Sequence, residues 1–154
     1  QTPEANIFNE IFRISKEQIV WGGNYFSEFL PSSQGWDIWN KGQRAFSLAD
    51  GEMCWTSFDR AMRIFDYARG KFMSVRHGEH PTEKPVDLIK WQLEKSCKEN
   101  DLIFDGFLGS GTTALACLKT NRRCIGVELD EDYFEIACKR IEKQLQSPTL
   151  FNGY

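Results

Sequence analysis

The residues best equipped for chemistry lie at the end of an apolar run. Leu102-Ile103-Phe104 leads into Asp105-Gly106-Phe107-Leu108-Gly109-Ser110-Gly111-Thr112-Thr113, and that into Ala114-Leu115-Ala116-Cys117-Leu118-Lys119. The order reads as a buried strand ending on a carboxylate, a glycine turn and the start of a helix. Gly109 and Gly111 carry no Cβ, so the backbone there can take positive φ and pass close to a ligand. The helix start offers N–H groups without intrahelical partners and the positive end of a dipole. In open α/β sheets ligands sit at this carboxyl end of the strands. A nucleotide-like cofactor is the expectation here; a glycine-rich turn with no ligand is the alternative.

Two carboxylates narrow the choice of cofactor. Gly109-x-Gly111-x-x-Ala114 fits the permissive form of a dinucleotide turn, which keeps a nicotinamide-dependent oxidoreductase in view. Asp105 argues against it, because a carboxylate beside the helix N-terminus repels a pyrophosphate and attracts an ammonium group. The next strand, Cys124-Ile125-Gly126-Val127, ends on Glu128, where a carboxylate can accept from both ribose hydroxyls. An adenosyl compound with a charged amino acid tail satisfies both carboxylates, and S-adenosylmethionine is such a compound.

The elements that must position these groups follow from periodicity. Ala5–Ser15 places Phe8, Ile11 and Phe12 at helical spacing. Gln18–Trp21 reads as a strand closed by Gly22-Gly23-Asn24, and Tyr25–Leu30 as a short helix or turn. Trp36–Trp39 alternates like a strand with one buried face. Lys41–Asp50 is a polar connection, Glu52–Phe58 a further strand, and Arg63–Tyr67 a possible extension of this β-rich region. Trp21, Trp36, Trp39 and Trp55 sit at strand-like positions and suit core packing better than base stacking. Pro85–Asn100 is a helix with Pro85 in its first turn and a stripe of Val86, Ile89, Leu93 and Cys97. Leu102–Asp105 is a strand, Thr112–Thr120 a helix, Cys124–Glu128 a strand, and Glu131–Gln146 a helix burying Phe134, Ala137, Ile141 and Leu145. Strand–helix–strand from 101 to 146 requires a parallel pairing with a right-handed crossover.

At 154 residues, 41% apolar and 14% aromatic, the chain can bury one sizeable core and is not a disordered polymer. No apolar stretch approaches the length of a membrane span, and no signal peptide opens it. Its five cysteines (54, 97, 117, 124 and 138) include no C-x-x-C pair and fit a reducing, cytoplasmic setting rather than a disulfide scaffold or metal site. The net charge of −3 is no help to a nucleic-acid-binding reading, but Arg69, Lys71 and Arg76 form a local basic stretch without an acid between them. Such a loop can touch a phosphate backbone or be an ordinary solvated loop.

Three segments carry a family resemblance. Asp105–Thr113 resembles the Asp-Pro-Phe-x-Gly-Ser-Gly-Thr-Thr signature of DNA amino-methyltransferases, which act on N6 of adenine or N4 of cytosine. His80-Pro81-Thr82-Glu83-Lys84-Pro85 resembles the His-Pro-Thr-Gln-Lys-Pro segment that precedes it in permuted members, whose catalytic part comes before the cofactor part. Gly126-Val127-Glu128-Leu129-Asp130-Glu131-Asp132-Tyr133 resembles the ribose-binding strand end. Upstream, Phe8–Ser15 and Gln18–Phe26 look like phage and prophage members.

The resemblance implies an α/β, Rossmann-like S-adenosylmethionine-dependent methyltransferase fold. Its sheet is mostly parallel and seven-stranded, with the last-but-one strand antiparallel. It implies one partial domain over 1–154: 1–66 in the catalytic half, 67–79 a short basic loop contacting DNA, 80–146 the cofactor half and 147–154 a tail. Asp105 is expected near the cofactor's amino group, or as a carboxylate that merely stabilises the helix dipole. Glu128 is expected on the ribose, or as a solvent-facing strand end. Ser110, Thr112 and Thr113 offer hydroxyls to the methionine carboxylate or cap the helix. Phe107 packs on the cofactor or on the core, and Leu129 and Asp130 border the adenine, with packing the alternative for Leu129. Thr82, Lys84 and Pro85 approach the amino acid end of the cofactor, and His80 fixes their turn. Gly106, Gly109 and Gly111 form the cradle, although Gly106 stands where the family usually has proline.

The implied reaction is methyl transfer from S-adenosylmethionine to an exocyclic amine of a base flipped out of the duplex. Adenine N6 is preferred from the look of Ile19–Asn24, within a phage or restriction–modification setting. The Asp-Pro-Pro-Tyr or Ser-Pro-Pro-Tyr tetrad that accepts the amine hydrogens occurs nowhere in the sequence, so no catalytic residue is assigned. With Gln1 at its start, the chain reads as the C-terminal portion of a longer polypeptide. An upstream segment, a cleaved companion or a partner copy would supply the tetrad strand, expected between the strands at 102–105 and 18–21. A catalytically dead prophage remnant keeping the fold is the non-enzymatic alternative.

Overall fold

The computed structural model describes residues 5–44, 47–68, 70–71 and 83–147. The chain divides into two compact units, 1–74 and 75–154.

In the first unit, α1 (Ala5–Ile14) precedes β1 (Ile19–Trp21), a 3-10 turn at Gly23–Tyr25, β2 (Trp36–Asn40), β3 (Gly51–Thr56) and β4 (Arg63–Asp66). The strands form a sheet in the order β1-β3-β2-β4. β3 runs antiparallel to both neighbours, and β2 and β4 are parallel. β3 thus has one strand on one side and two on the other, with Arg63–Asp66 forming one edge of this sheet. Phe8, Leu30 and Trp55 form a core against which Phe12, Val20, Phe26, Phe29 and Trp36 pack. The Phe8 and Phe29 rings stack at 5.1 Å and the Phe12 ring meets Trp55 edge-on at 6.2 Å, spacings at which aromatic pairs attract beyond their area. The indole N–H groups of Trp36, Trp39 and Trp55 donate to the carbonyls of Ser33, Tyr67 and Pro31. These tryptophans are structural, as strand placement leads one to expect.

In the second unit, α2 (Val86–Ser96) is followed by β5 (Leu102–Asp105), α3 (Thr112–Lys119), β6 (Arg123–Gly126) and α4 (Glu131–Leu145). β5 and β6 are parallel, with Ile103 opposite Cys124 and Asp105 opposite Gly126. They form a two-stranded sheet, so the described residues hold six strands in two sheets where seven in one are expected of the family. Among the described residues β5 pairs with β6 alone, and β1 with β3 alone.

One face of the β5–β6 pair is covered by α3, which packs in turn against α2 and α4. Leu108, Ala114 and Ala137 form the core there, with Cys124 and Ile141 against it. The other face, with Leu102, Phe104, Ile125 and Val127, remains about half exposed. Two helix stripes differ from their sequence reading. α4 buries Ala137 and part of Ile141 but leaves Phe134 and Leu145 exposed at 47% and 49%, because α4 meets the core through one narrow line beside the glycine turn. α2 buries Leu88, Ile89, Gln92 and Leu93, whereas Val86 and Cys97 are half-buried at its ends. It stops at Ser96 because Cys97 turns extended. All five cysteines are free.

Candidate cofactor site

The glycine turn links β5 to α3 at the carboxyl end of the sheet. Asp105 closes β5, and its Oδ1 accepts the Phe107 N–H at 3.0 Å, starting the turn. Leu108 donates to the Val127 carbonyl at 2.9 Å and Val127 to that of Asp105 at 2.8 Å, so the turn is stitched to the strand beside it. Gly109 and Gly111 both have positive φ, +55° and +86°. A Cβ on Gly111 would lie 2.9 Å from the Ala137 Cβ, and one on Gly126 would lie 2.7 Å from the Leu108 side chain. Absence of side chains at these two positions lets α4 and Leu108 close on the loop. Gly106 is different: its φ is not positive, and a Cβ there would make ordinary contact with the Phe104 ring.

α3 starts at Thr112 with Gly111 as N-cap and no side-chain cap. Ser110, Thr112 and Thr113 are therefore not capping this helix. Ser110 and Thr112 are buried, Thr113 half-buried. The amides of the first turn have no acceptor inside the helix, and they face the position expected of a carboxylate or phosphate ligand.

Glu128 lies two residues beyond β6 rather than at its end, because the ladder stops at Gly126. Its Oε2 accepts the Gly109 N–H at 2.7 Å and its Oε1 accepts the Asp130 N–H at 3.0 Å. A carboxylate oxygen can accept twice, so each retains capacity for a hydroxyl donor. Asp130 is the N-cap of α4, accepting from Asp132 N and Tyr133 N, and so stabilises that helix start by ~1 kcal/mol. Phe107 and Leu129, which follow adjacent strands, are 63% and 97% exposed. Neither packs in the core. Apolar side chains so placed beside two acids offer contact surface to an aromatic or ribosyl group.

A second charged cluster, unmarked in the sequence reading, lies beneath the turn. Arg140 of α4 donates through one amino group to the Ser110 carbonyl and hydroxyl, both at 2.7 Å. Its other amino group meets the Glu83 carboxylate at 3.0 Å, and the Glu83 side chain is almost wholly buried. The available signal was Arg140 lying one turn from Ala137, the buried residue of α4, with Glu83 where the resembled segment has Gln. Pro85 caps α2, its carbonyl accepting from Leu88 N and Ile89 N, and Lys84 beside it is half-buried. His80 and Thr82 lie outside the described residues, as do Arg69 and Arg76. Of the basic stretch, Lys71 is described: exposed, with its ammonium 5.0 Å from the Tyr67 ring centre. Among the described residues no group of acids, histidines and cysteines is arranged to hold a metal ion. No helix there is long and apolar enough to cross a membrane.

A parallel strand pair joined through a helix, with a glycine turn and two acids at its carboxyl end, is the layout of a Rossmann-like α/β protein. The family is set by comparison. The DNA methylase family model matches residues 11–139, and the chain belongs to that family. Over 67 residues it is 43% identical to the type II methyltransferase M2.DpnII of Streptococcus pneumoniae, covering 44% of this chain and 25% of that protein. Over 152 residues it is 27% identical to the type II methyltransferase M2.MboI of Moraxella bovis, covering 99% of this chain and 50% of that protein. The chain thus aligns with half or less of these relatives' length. TTHA0409 of Thermus thermophilus, solved with S-adenosyl-L-methionine, superposes with a TM-score of 0.64 at 17% identity, over 93% of this chain and 76% of that one. The fold is that of the Rossmann-like methyltransferases.

Proposed function

We propose that this chain is the cofactor-binding part of a site-specific DNA methyltransferase that uses S-adenosylmethionine to methylate an exocyclic amine, N6 of adenine. Family membership supports the class, and the observation that carries the cofactor is the joining of Glu128 to the glycine turn through the 2.7 Å bond to Gly109. When bound, the sulfonium supplies an electrophilic methyl group. The chain's own residues hold and orient: Glu128 accepts ribose hydroxyls and Asp105 attracts the ammonium of the amino acid end. The first amides of α3, brought forward by the turn at Gly109 and Gly111, receive its carboxylate, with Ser110, Thr112 and Thr113 beside them. Phe107, Leu129 and Asp130 border the adenine, and Gly106 leaves the approach open. His80, Thr82, Lys84 and Pro85 belong to the amino acid end.

DNA is the proposed macromolecular partner, contacted by Arg69, Lys71 and Arg76, and the cytoplasm the place of action. The acceptors for the amine hydrogens come from a strand outside these residues, supplied by an upstream segment or a partner chain. The open edge of β5 and the open edge of β1 are each suited to receive added backbone. Adenine is preferred to cytosine on the Ile19–Asn24 segment.

Isothermal titration of the chain with S-adenosylmethionine tests the cofactor. Saturable binding at micromolar to millimolar ligand is expected, and no heat at millimolar ligand rejects it. Mass analysis of nucleosides from DNA methylated by the protein with its tetrad-bearing part separates N6-methyladenine from N4-methylcytosine.

A further inference from the structure

We infer that Arg140 is a positioning residue for the amino acid end of the cofactor, held in place by Glu83. The inference rests on the cofactor reading above and adds residues that reading does not use. Arg140 donates to both the carbonyl and the hydroxyl of Ser110, each at 2.7 Å. The Ser110 carbonyl belongs to the same rigid peptide as the Gly111 N–H. Fixing that carbonyl therefore fixes the plane of the peptide entering the residue whose φ is +86°. On its other side that residue leads straight into the first amides of α3. The Gly111 N–H holds the Leu108 carbonyl at 3.0 Å from one end of that peptide and Arg140 holds the Ser110 carbonyl from the other, so the two together resist a rotation that would turn those donors away from a ligand.

Glu83 restrains Arg140 in turn. Its carboxylate meets the second amino group at 3.0 Å, with side-chain exposures of 2% for Glu83 and 15% for Arg140. A guanidinium presents its donors in a fixed planar fork, so holding one amino group orients the other. A buried pair of this kind is better evidence for a fixed geometry than for net stability. Three separate stretches of the chain (Glu83 before α2, Ser110 in the turn and Arg140 in α4) thereby become one unit. The Ser110 hydroxyl is buried and accepts from Arg140, and its own proton remains to be donated.

The consequence divides the ligand in two. Adenosine engages Glu128, whose bonds to Gly109 and Asp130 do not involve Arg140, whereas the amino acid tail depends on the 110–111 peptide and the amides beyond. Titration of the full chain and its variants with both S-adenosylmethionine and adenosine tests this. Arg140→Lys, which retains charge but not the fork, is expected to weaken S-adenosylmethionine at least tenfold and adenosine less than twofold. Glu83→Gln retains an acceptor and is expected to weaken S-adenosylmethionine about threefold, with no further loss when added to Arg140→Lys. Equal losses for the two ligands would reduce Arg140 to a general structural role and overturn the inference. Unchanged affinity for S-adenosylmethionine in Arg140→Lys would do the same while leaving the cofactor reading intact. A wild-type chain that binds neither ligand removes the cofactor reading and this inference together. Should Arg140→Lys not fold, Glu83→Gln decides by the same ratio of affinities.

Discussion

The amide of Gly109 and the carboxylate of Glu128 meet across 2.7 Å, although 19 residues separate them in the chain. The bond joins the turn after one strand to the loop after its neighbour. Each oxygen of Glu128 holds one backbone N–H, so the carboxylate is oriented before a ligand arrives. Orientation established in the free protein removes an ordering cost from binding.

Replacing Glu128 therefore acts on binding and on the loop together. Glu128→Ala is expected to weaken adenosine about 10- to 100-fold, since a hydrogen bond to a charged group contributes ~1.5–3 kcal/mol. Glu128→Gln keeps an acceptor for Gly109 but turns a donor toward the Asp130 N–H, so its urea midpoint should fall, and its adenosine affinity should fall less steeply than in Glu128→Ala. Wild-type adenosine affinity in Glu128→Ala, measured by titration calorimetry, would remove the residue from the site.

Two of the three glycines of the turn should respond in opposite directions. Gly111 combines φ of +86° with a distance of only 2.9 Å between an added Cβ and that of Ala137. Gly111→Ala then meets left-handed backbone strain of ~1–2 kcal/mol and overpacking of ~1–3 kcal/mol, a loss of about 2–5 kcal/mol in urea unfolding. Gly106 has neither obstacle, its nearest neighbour being the Phe104 ring at 3.4 Å. Gly106→Ala should gain about 0.4–1 kcal/mol by restricting the unfolded chain. A destabilised Gly106→Ala would show that this turn needs the freedom that the family's usual proline denies.

Periodicity locates the helices and strands of both units, because apolar spacing responds to burial directly. Motif order locates Asp105, the glycine turn and Glu128, because chemistry at a turn requires specific residues there. What escapes both signals is polar burial. In β2 the alternation Trp36-Asp37-Ile38-Trp39 shows one face turned inward, yet the inward pair is Asp37 and Trp39. An acid there becomes tolerable because Arg60, some twenty residues on, reaches it, and no local pattern announces that partner. Arg140 and Glu83 are hidden for the same reason. The strand ends at Gly126 rather than Glu128, and the close approach of the Leu108 side chain to Gly126 is equally invisible in a single segment. The exposed Phe134 and Leu145 mark the converse error: helical spacing identifies a stripe but not the surface available to cover it.

The Asp37–Arg60 pair yields its own test. Asp37 is wholly buried, and the two guanidinium amino groups each approach one carboxylate oxygen at 2.8 Å. Removing the cation strands a charge in the interior, so Arg60→Met should cost ~3–5 kcal/mol. Replacing both partners, as Asp37→Leu with Arg60→Met, removes the charge as well as its partner and should restore most of that loss. Chemical denaturation of the two singles and the double gives the coupling energy. Additive losses would show that the pair does not act as a unit.

A pair of thiols in the second unit gives the last expectation. Cys117 of α3 and Cys124 of β6 share a hydrogen bond; it pushes the Cys117 thiol well above its ordinary range, with burial adding to the effect. The same bond holds the Cys124 thiol below its ordinary value, against the opposing effect of burial. The thiolate is the reactive form, so near neutral pH Cys124 should alkylate ahead of Cys117 in the folded chain. Its rate should begin to rise at a lower pH than that of a free cysteine. Cys117→Ala removes the donor and leaves burial unopposed, raising the Cys124 value and slowing its alkylation at neutral pH. A timed iodoacetamide reaction read by peptide mass spectrometry follows both sites at once. Faster labelling of Cys124 in Cys117→Ala would mean that Cys117 shields its neighbour more than it activates it.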